Sequence, residues 1–285
     1  MENKDFAVFI LTYGRADKVI TYETLSKQGF TGDIYFVCSD DDKQLHKYQE
    51  RYQDNVVVFS KEEYKNKFDI GDNFKDDRVV VFARNAVFDI AKKLGIKHFL
   101  VLDDDYTAIR YTRDEKQKYL TTADKVKNLD KLFDKLLDYY KTTNAKTLCI
   151  AQGGDFIGGE NSSVFKKKLS RKAMNFFICS TERPFKFIGR INEDVNTYVR
   201  LGTTGDLFQT ICDIRLEQLD TQSNSGGLTE FYLEGGTYIK SFYTVLFSPS
   251  CTNINLMGNK HKRLHHRIDW NKSIPKIISE EYKKL

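Results

Sequence analysis

Three prolines, three methionines and one tryptophan are all this 285-residue chain contains of those residues. With so few prolines, and no internal repeat or low-complexity linker, nothing marks a break, so one continuous domain is expected. The five cysteines (Cys38, Cys149, Cys179, Cys212 and Cys251) are scattered without a CxxC pair. That argues against a zinc site or a disulfide framework and for reduced thiols in the cytoplasm. No apolar run approaches the roughly 20 residues of a membrane span. FAVFILTY is far too short, and MENKDF lacks the basic-then-apolar start of a signal peptide. A formal charge of +5 excludes a polycation.

What is present suits a soluble enzyme-sized core: 40% hydrophobic, 13% aromatic and 30% charged residues. Charge is unevenly placed. FKKKLSRK (165–172) and NKHKRLHHR (259–267) are basic, whereas acids gather at 40–42, 76–77 and 103–105. Such separation permits a site that holds both a cation and an anionic substrate, although charge runs also serve as solvated faces.

Apolar runs FAVFIL (6–11), DIYFVC (33–38) and NVVVFS (55–60) read as strands, with helix-like DKQLHKYQERY before the third. ARNAVFDIAKKLG (83–95) has helical spacing and a terminal glycine. TADKVKNLDKLFDKLLDYYKTT (122–143) predicts an amphipathic helix, and NFFICST (175–181) a strand. TLCIAQGGDFIGG gives a strand and a glycine-rich loop whose spacing fits no phosphate fingerprint. Near the C-terminus, YIKSFYTVLFSP reads as a strand from its aromatic and β-branched content. The preceding DIRLEQLDTQSNSGGLTEFYLEGG reads as a loop with hinge freedom at Gly226-Gly227. The expected fold is α/β, a mostly parallel sheet flanked by helices, with a nucleotide-binding half (1–110) and an acceptor half with a C-terminal tail (145–285).

The most informative stretch is HFLVLDDDY (98–106). Phe99 to Leu102 read as a strand buried on both faces, and Asp103, Asp104 and Asp105 stand at its carboxyl end, where open α/β sheets place ligands. Adjacent carboxylates repel, so a hard cation, Mn²⁺ or Mg²⁺, would stabilise them. A solvated acidic turn is the alternative. The second acidic group, Asn192-Glu193-Asp194, opens a helix-like segment. Asp194 suits either a helix cap or a base that takes a proton from an attacking hydroxyl.

The order LTYGR, SDDD, ARN, VLDDD, NED resembles that of the GT-A glycosyltransferases over roughly residues 6–200. The resemblance implies a nucleotide-sugar donor, a divalent metal and a hydroxyl acceptor. Thr12, Tyr13 and Arg15 match the first donor-binding junction, Asp40 the second, and Arg84 with Asn85 the Arg-Asn segment that orients the nucleotide. Asp103 and Asp105 match the DxD motif, with Asp105 a direct metal ligand and Asp104 between them in the donor site. Asp194, beside Glu193, matches the catalytic base of inverting members. A C-terminal histidine often completes the metal site in that family. One of His261, His265 and His266 is the candidate, His261 and His265 having the i, i+4 spacing of a helical pair, with Lys260, Lys262 and Arg263 on the diphosphate. UDP-sugar is the donor class the family implies.

A narrower resemblance, in Lys/Asn/Tyr-rich composition and compact motif order, is to the DNA-modifying glycosyltransferases of bacteriophages, including the TET-associated group. It implies 5-hydroxymethylated pyrimidine as acceptor, with Lys166, Lys167, Lys168, Arg171 and Lys172 on DNA phosphates. Trp270 could stack on a base or anchor packing. A glycan or protein acceptor, a nucleotidyltransferase, and a non-catalytic nucleic-acid-binding module are the competing readings. Nothing in the sequence sets the oligomeric state.

Overall fold

The computed structural model describes residues 5–122, 124–219, 236, 238–258 and 262–275. In chain order the elements that position the site are β1 (Phe6–Leu11), α1 (Ile20–Lys27), β2 (Asp33–Ser39), α2 (Leu45–Tyr52), β3 (Val56–Phe59), α3 (Val81–Lys93), β4 (His98–Asp103) and β5 (Tyr106–Tyr111). Then come α4 (Leu129–Lys141), β6 (Thr147–Gln152), β7 (Leu169–Ser170), β8 (Phe176–Ser180), α5 (Glu193–Gly202), β9 (Phe208–Gln218), α6 (Ile239–Phe247), β10 (Thr252–Met257) and β11 (Arg263–Ile268).

One sheet carries the order β3-β2-β1-β4-β8-β6-β9-β5, with β7 added on β9. Strands β3, β2, β1 and β4 run parallel. Strand β8 then lies antiparallel to both β4 and β6, and β5 antiparallel to β9. The expectation of a parallel sheet therefore holds for residues 6–103, and the sheet as a whole is mixed. The central strands lack polar alternation because both faces are covered. Phe6, Val8 and Ile10 of β1 and Leu100 and Leu102 of β4 enter a core with Phe133 and Leu137 of α4. Phe9, Leu11, Phe99 and Val101 enter the opposite core with Val81, Phe82 and Val87 of α3. A side-chain period of two thus becomes a continuous apolar run.

Helix α3 stops where Gly95 adopts φ +73°, a left-handed turn that glycine makes without strain. Helix α4 starts later than the periodicity suggests, because the Asn128 side chain accepts from the Lys131 amide and caps it.

Three expectations fail in the C-terminal half. YIKSFYTVLF is helix α6, not a strand: Ile239, Tyr243 and Phe247 recur every fourth residue and pack on Ile191. Helical burial outweighs strand propensity there. The His-rich tract is strand β11, paired antiparallel with β10. His265 is therefore on a strand and has no helical i, i+4 partner. DIRLEQ continues β9 rather than starting a loop. Lys260, His261 and the 220–235 stretch with Gly226-Gly227 lie outside the described residues.

The topology decides where loops meet. Strand β6 is parallel to β4 through β8, and Leu102 near the end of β4 faces Phe176 at the start of β8. The junctions after β1, β2, β4 and β6, and the approach to β8, consequently share one edge. No helix among the described residues is long and apolar enough to cross a membrane. All five cysteines are free and buried.

Candidate active site

At that edge a cavity of about 230 Å³ is lined by Thr12, Tyr13, Arg15, Ser39, Lys61, Arg78 and Asp103 to Asp105 over apolar Leu11, Phe59, Val79, Val80 and Ala83. It gathers the first junction, part of the second and the aspartate run.

The three aspartates have different surroundings. Asp104 is buried and accepts from Thr12 Oγ1 at 2.8 Å and Arg15 Nη1 at 2.7 Å. Burial raises its carboxyl, and Arg15 opposes the rise. The Thr12 hydroxyl also meets the Tyr48 hydroxyl at 2.8 Å, which accepts from the Arg15 amide. Asp104 thus braces the first junction. Asp103 accepts from Arg84 Nη2 at 3.2 Å. For Asp105, burial and then the charges of Asp103 and Asp104 push the carboxyl up to about 7. Arg15, already paired with Asp104, opposes the rise only in part, and a metal would relieve the remainder. No group of three or more His, Cys, Asp or Glu close enough to hold a metal by themselves occurs among the described residues. This donor set suits a Mg²⁺-like ion, which takes one or two carboxylates and completes its shell with substrate phosphates and water.

The second carboxylate pair opens α5. Asn192 stands before it at φ +53°, and its amide donates to the Lys240 carbonyl at 2.8 Å. Glu193 is buried with Oε1 2.8 Å from Arg84 Nε. Asp194 is buried and its Oδ1 accepts from the Val195 amide at 2.7 Å. Asp194 is not the helix cap, since Asn192 holds that position and Asp194 lies in the first turn. Among the described residues its other oxygen accepts no hydrogen bond. Burial raises both carboxyls, and Arg84 opposes both shifts.

Arg84 and Asn85 do not line the cavity. Arg84 is fully buried over the Phe177 ring and joins Asp103 to Glu193. The Asn85 amide is spent on Phe187, donating to its carbonyl at 3.0 Å and accepting from its N–H at 2.9 Å. Both therefore fix protein to protein, where a contact to the nucleotide was expected. Asp40 is exposed at the mouth. Its neighbours are the engaged ones: Asp42 accepts from the Gly14 amide at 2.7 Å, and Asp41 pairs with Lys61 at 2.9 Å. Lys61, over the Tyr13 ring at 4.5 Å, and Arg78 are wall cations that the sequence reading missed. They stand in segments without a periodic pattern.

In the basic tract Lys166, Lys167 and Lys168 are exposed. Arg171 donates to the Trp270 carbonyl at 3.1 Å, and Lys172 pairs with Asp155 at 2.5 Å. Trp270 stacks near Tyr198 and is a packing anchor. Lys262 and Arg263 are exposed. His265 directs Nδ1 to the His266 carbonyl at 2.7 Å. His266 has Nδ1 3.4 Å from the Asn192 side-chain nitrogen, at the residue before α5. Burial and nearby cations push its imidazole down to about 4.

The family described as TET-Associated Glycosyltransferase matches residues 6–227, a span that includes every motif from Thr12 to Asp194. The chain belongs to that family. It is thus a member of a glycosyltransferase family. No curated protein matches it. Among solved structures it is similar to Staphylococcus aureus TarS 1–349 in complex with UDP, at 15% identity and TM-score 0.43, over 74% of this chain and 60% of that one. It is also similar to mannosyltransferase PcManGT from Pyrobaculum calidifontis with GDP-Man and Mn²⁺, at 10% identity and TM-score 0.45, over 75% and 56%. A third likeness is to glucosyl-3-phosphoglycerate synthase from Mycobacterium tuberculosis with Mn²⁺, UDP and phosphoglyceric acid, at 11% identity and TM-score 0.44, over 92% and 86%. The chain spans little more than half the length of the first two.

Proposed function

We propose that this chain transfers a sugar from a nucleotide diphosphate, a UDP-sugar, to a hydroxyl acceptor, the hydroxymethyl group of a modified pyrimidine in DNA, in the cytoplasm. The observation that carries the reading is the cavity itself. It brings cationic Lys61, Arg78 and Arg15 into one cavity with a carboxylate, Asp105, that burial and the charges of Asp103 and Asp104 raise and Arg15 opposes only in part. A nucleotide diphosphate bound with a divalent cation supplies both complements.

Asp105, with Asp103, would hold Mn²⁺ or Mg²⁺, which neutralises charge on the leaving diphosphate. Tyr13 and Ser39 stand on the wall available to the nucleoside. Asp194 is the proton acceptor, because Glu193 is committed to Arg84 while Asp194 keeps one oxygen uncommitted. Its raised pKa moves it toward the range in which a general base works best. The acceptor oxygen forms its bond to the anomeric carbon as the bond to the diphosphate breaks, and the acceptor proton passes to Asp194. A single displacement of this kind inverts the anomeric centre.

The direct test is thermal stabilisation by a panel of nucleotides and nucleotide-sugars with and without Mn²⁺. A rise in Tm with UDP or a UDP-sugar that needs the metal is expected. A flat panel would overturn the donor assignment.

A further inference from the structure

The loop between β6 and β8 leaves and re-enters the sheet on the catalytic edge. It is ordered by a small core of its own, in which Phe156 and Phe165 are buried with Ala151 against Tyr119. Phe156 is 3% exposed and the next residue, Ile157, is 84% exposed, the highest value of any large apolar side chain described. A buried anchor thus holds an isoleucine outward, with Gly158 and Gly159 directly after it. Farther along the loop, Lys166, Lys167 and Lys168 are exposed and make no ion pair among the described residues. The following Lys172, by contrast, is spent on Asp155.

We propose that this loop engages duplex DNA, Ile157 entering the base stack at the acceptor nucleotide while Lys166 to Lys168 hold flanking phosphates. This rests on the reading of DNA as acceptor and supplies the step that reading lacks. The 5-hydroxymethyl group of a stacked pyrimidine lies in the major groove, and leaving the stack would let it enter a site whose base is a buried carboxylate. Apolar wedges are a known means of opening a base step, and unpaired lysines are what a phosphate backbone requires. The same chemistry would suit an anionic membrane surface. Against that, a single apolar tip on a rigid loop offers none of the broad apolar face that interfacial binding uses.

The test compares the parent chain, Ile157→Ser, and a Lys166→Ser/Lys167→Ser/Lys168→Ser variant. Turnover is measured on a hydroxymethylated duplex and on the same oligonucleotide as a single strand. Duplex binding is followed against salt, with 2-aminopurine beside the target base reporting unstacking. Ile157→Ser should lower the duplex-to-single-strand turnover ratio about tenfold or more and abolish the fluorescence rise. The lysine variant should weaken duplex binding and reduce the salt slope by about 3. An unchanged ratio, an unchanged slope, or parent binding to phosphatidylserine vesicles but not to duplex overturns the proposal. Hydrolysis of the UDP-sugar without acceptor is followed in parallel. If it persists while duplex binding is absent, the loop assignment fails and the transferase reading stands. If duplex binding and unstacking occur without donor hydrolysis or turnover, the reverse holds.

Discussion

Arg84 Nε lies 2.8 Å from Glu193 Oε1, both side chains buried, and the same guanidinium reaches Asp103 at 3.2 Å. One cation thus links the aspartate run at the end of β4 to the carboxylate pair at the start of α5. Arg84→Met should destabilise the fold by about 3–5 kcal/mol, because it leaves buried carboxylates without their partner. Arg84→Lys should recover part of that, since an ammonium cannot span both acids as a planar fork does. Urea unfolding of the two variants checks this. Equal stability of Arg84→Met and the parent would refute it.

Asp105 makes stability depend on pH in metal-free protein. Its carboxyl sits at about 7 in the folded chain, above its ordinary value near 4. The folded state then holds the proton more tightly, so stability is highest below the unfolded pKa and falls as pH rises from about 4 to about 7. Asp105→Asn should flatten that fall, and Mn²⁺ should offset it in the parent only. Thermal melts in chelator across this window decide the matter. A parent that gains stability as pH rises there would contradict the assignment.

Asp194→Asn should cut kcat by roughly 10²–10⁴, the usual contribution of a general base. Donor affinity, measured by calorimetry with a UDP-sugar, should change little. Turnover at the parent rate would remove Asp194 from the mechanism.

Asn192 has separable backbone and side-chain roles. Its φ of +53° suits asparagine or glycine, and its amide donates to the Lys240 carbonyl. Asn192→Ala should therefore melt lower than Asn192→Gly, by an amount equivalent to about 1 kcal/mol. The opposite order would mean that the left-handed turn is not maintained.

Much of the donor half was legible because its strands are buried on both faces and end in unmistakable polar junctions. FAVFIL matches β1 end to end, and the aspartates do follow a buried strand. Which aspartate does what was not legible. Asp40, Asp41 and Asp42 are identical in sequence, yet of the two exposed ones Asp41 pairs with Lys61, while Asp42 is buried and braces Gly14. Arg84 and Asn85 read as ligand contacts because a polar pair at a helix start gives no sign of burial. The C-terminal half misled for a different reason. Ile239 to Phe247 has strand-like composition, and only the fourfold recurrence of its large residues, set against Ile191, marks it as helix. Likewise the His261/His265 spacing has meaning only on a helix, and His265 lies on a strand. His266 is the histidine that meets the Asn192 side chain.

Residues between β6 and β8 begin and end at neighbouring points of the same sheet edge, and carry their own Phe156–Phe165 packing. Such a segment behaves as a cassette. Apart from the two-residue strand β7 on β9, it can be exchanged for one of different length or charge without disturbing the wall that holds Asp103 to Asp105. Recognition of the acceptor can therefore diversify while the donor chemistry stays constant, and chimeras joined at Gln152 and Phe176 are the natural way to graft a new specificity onto this scaffold.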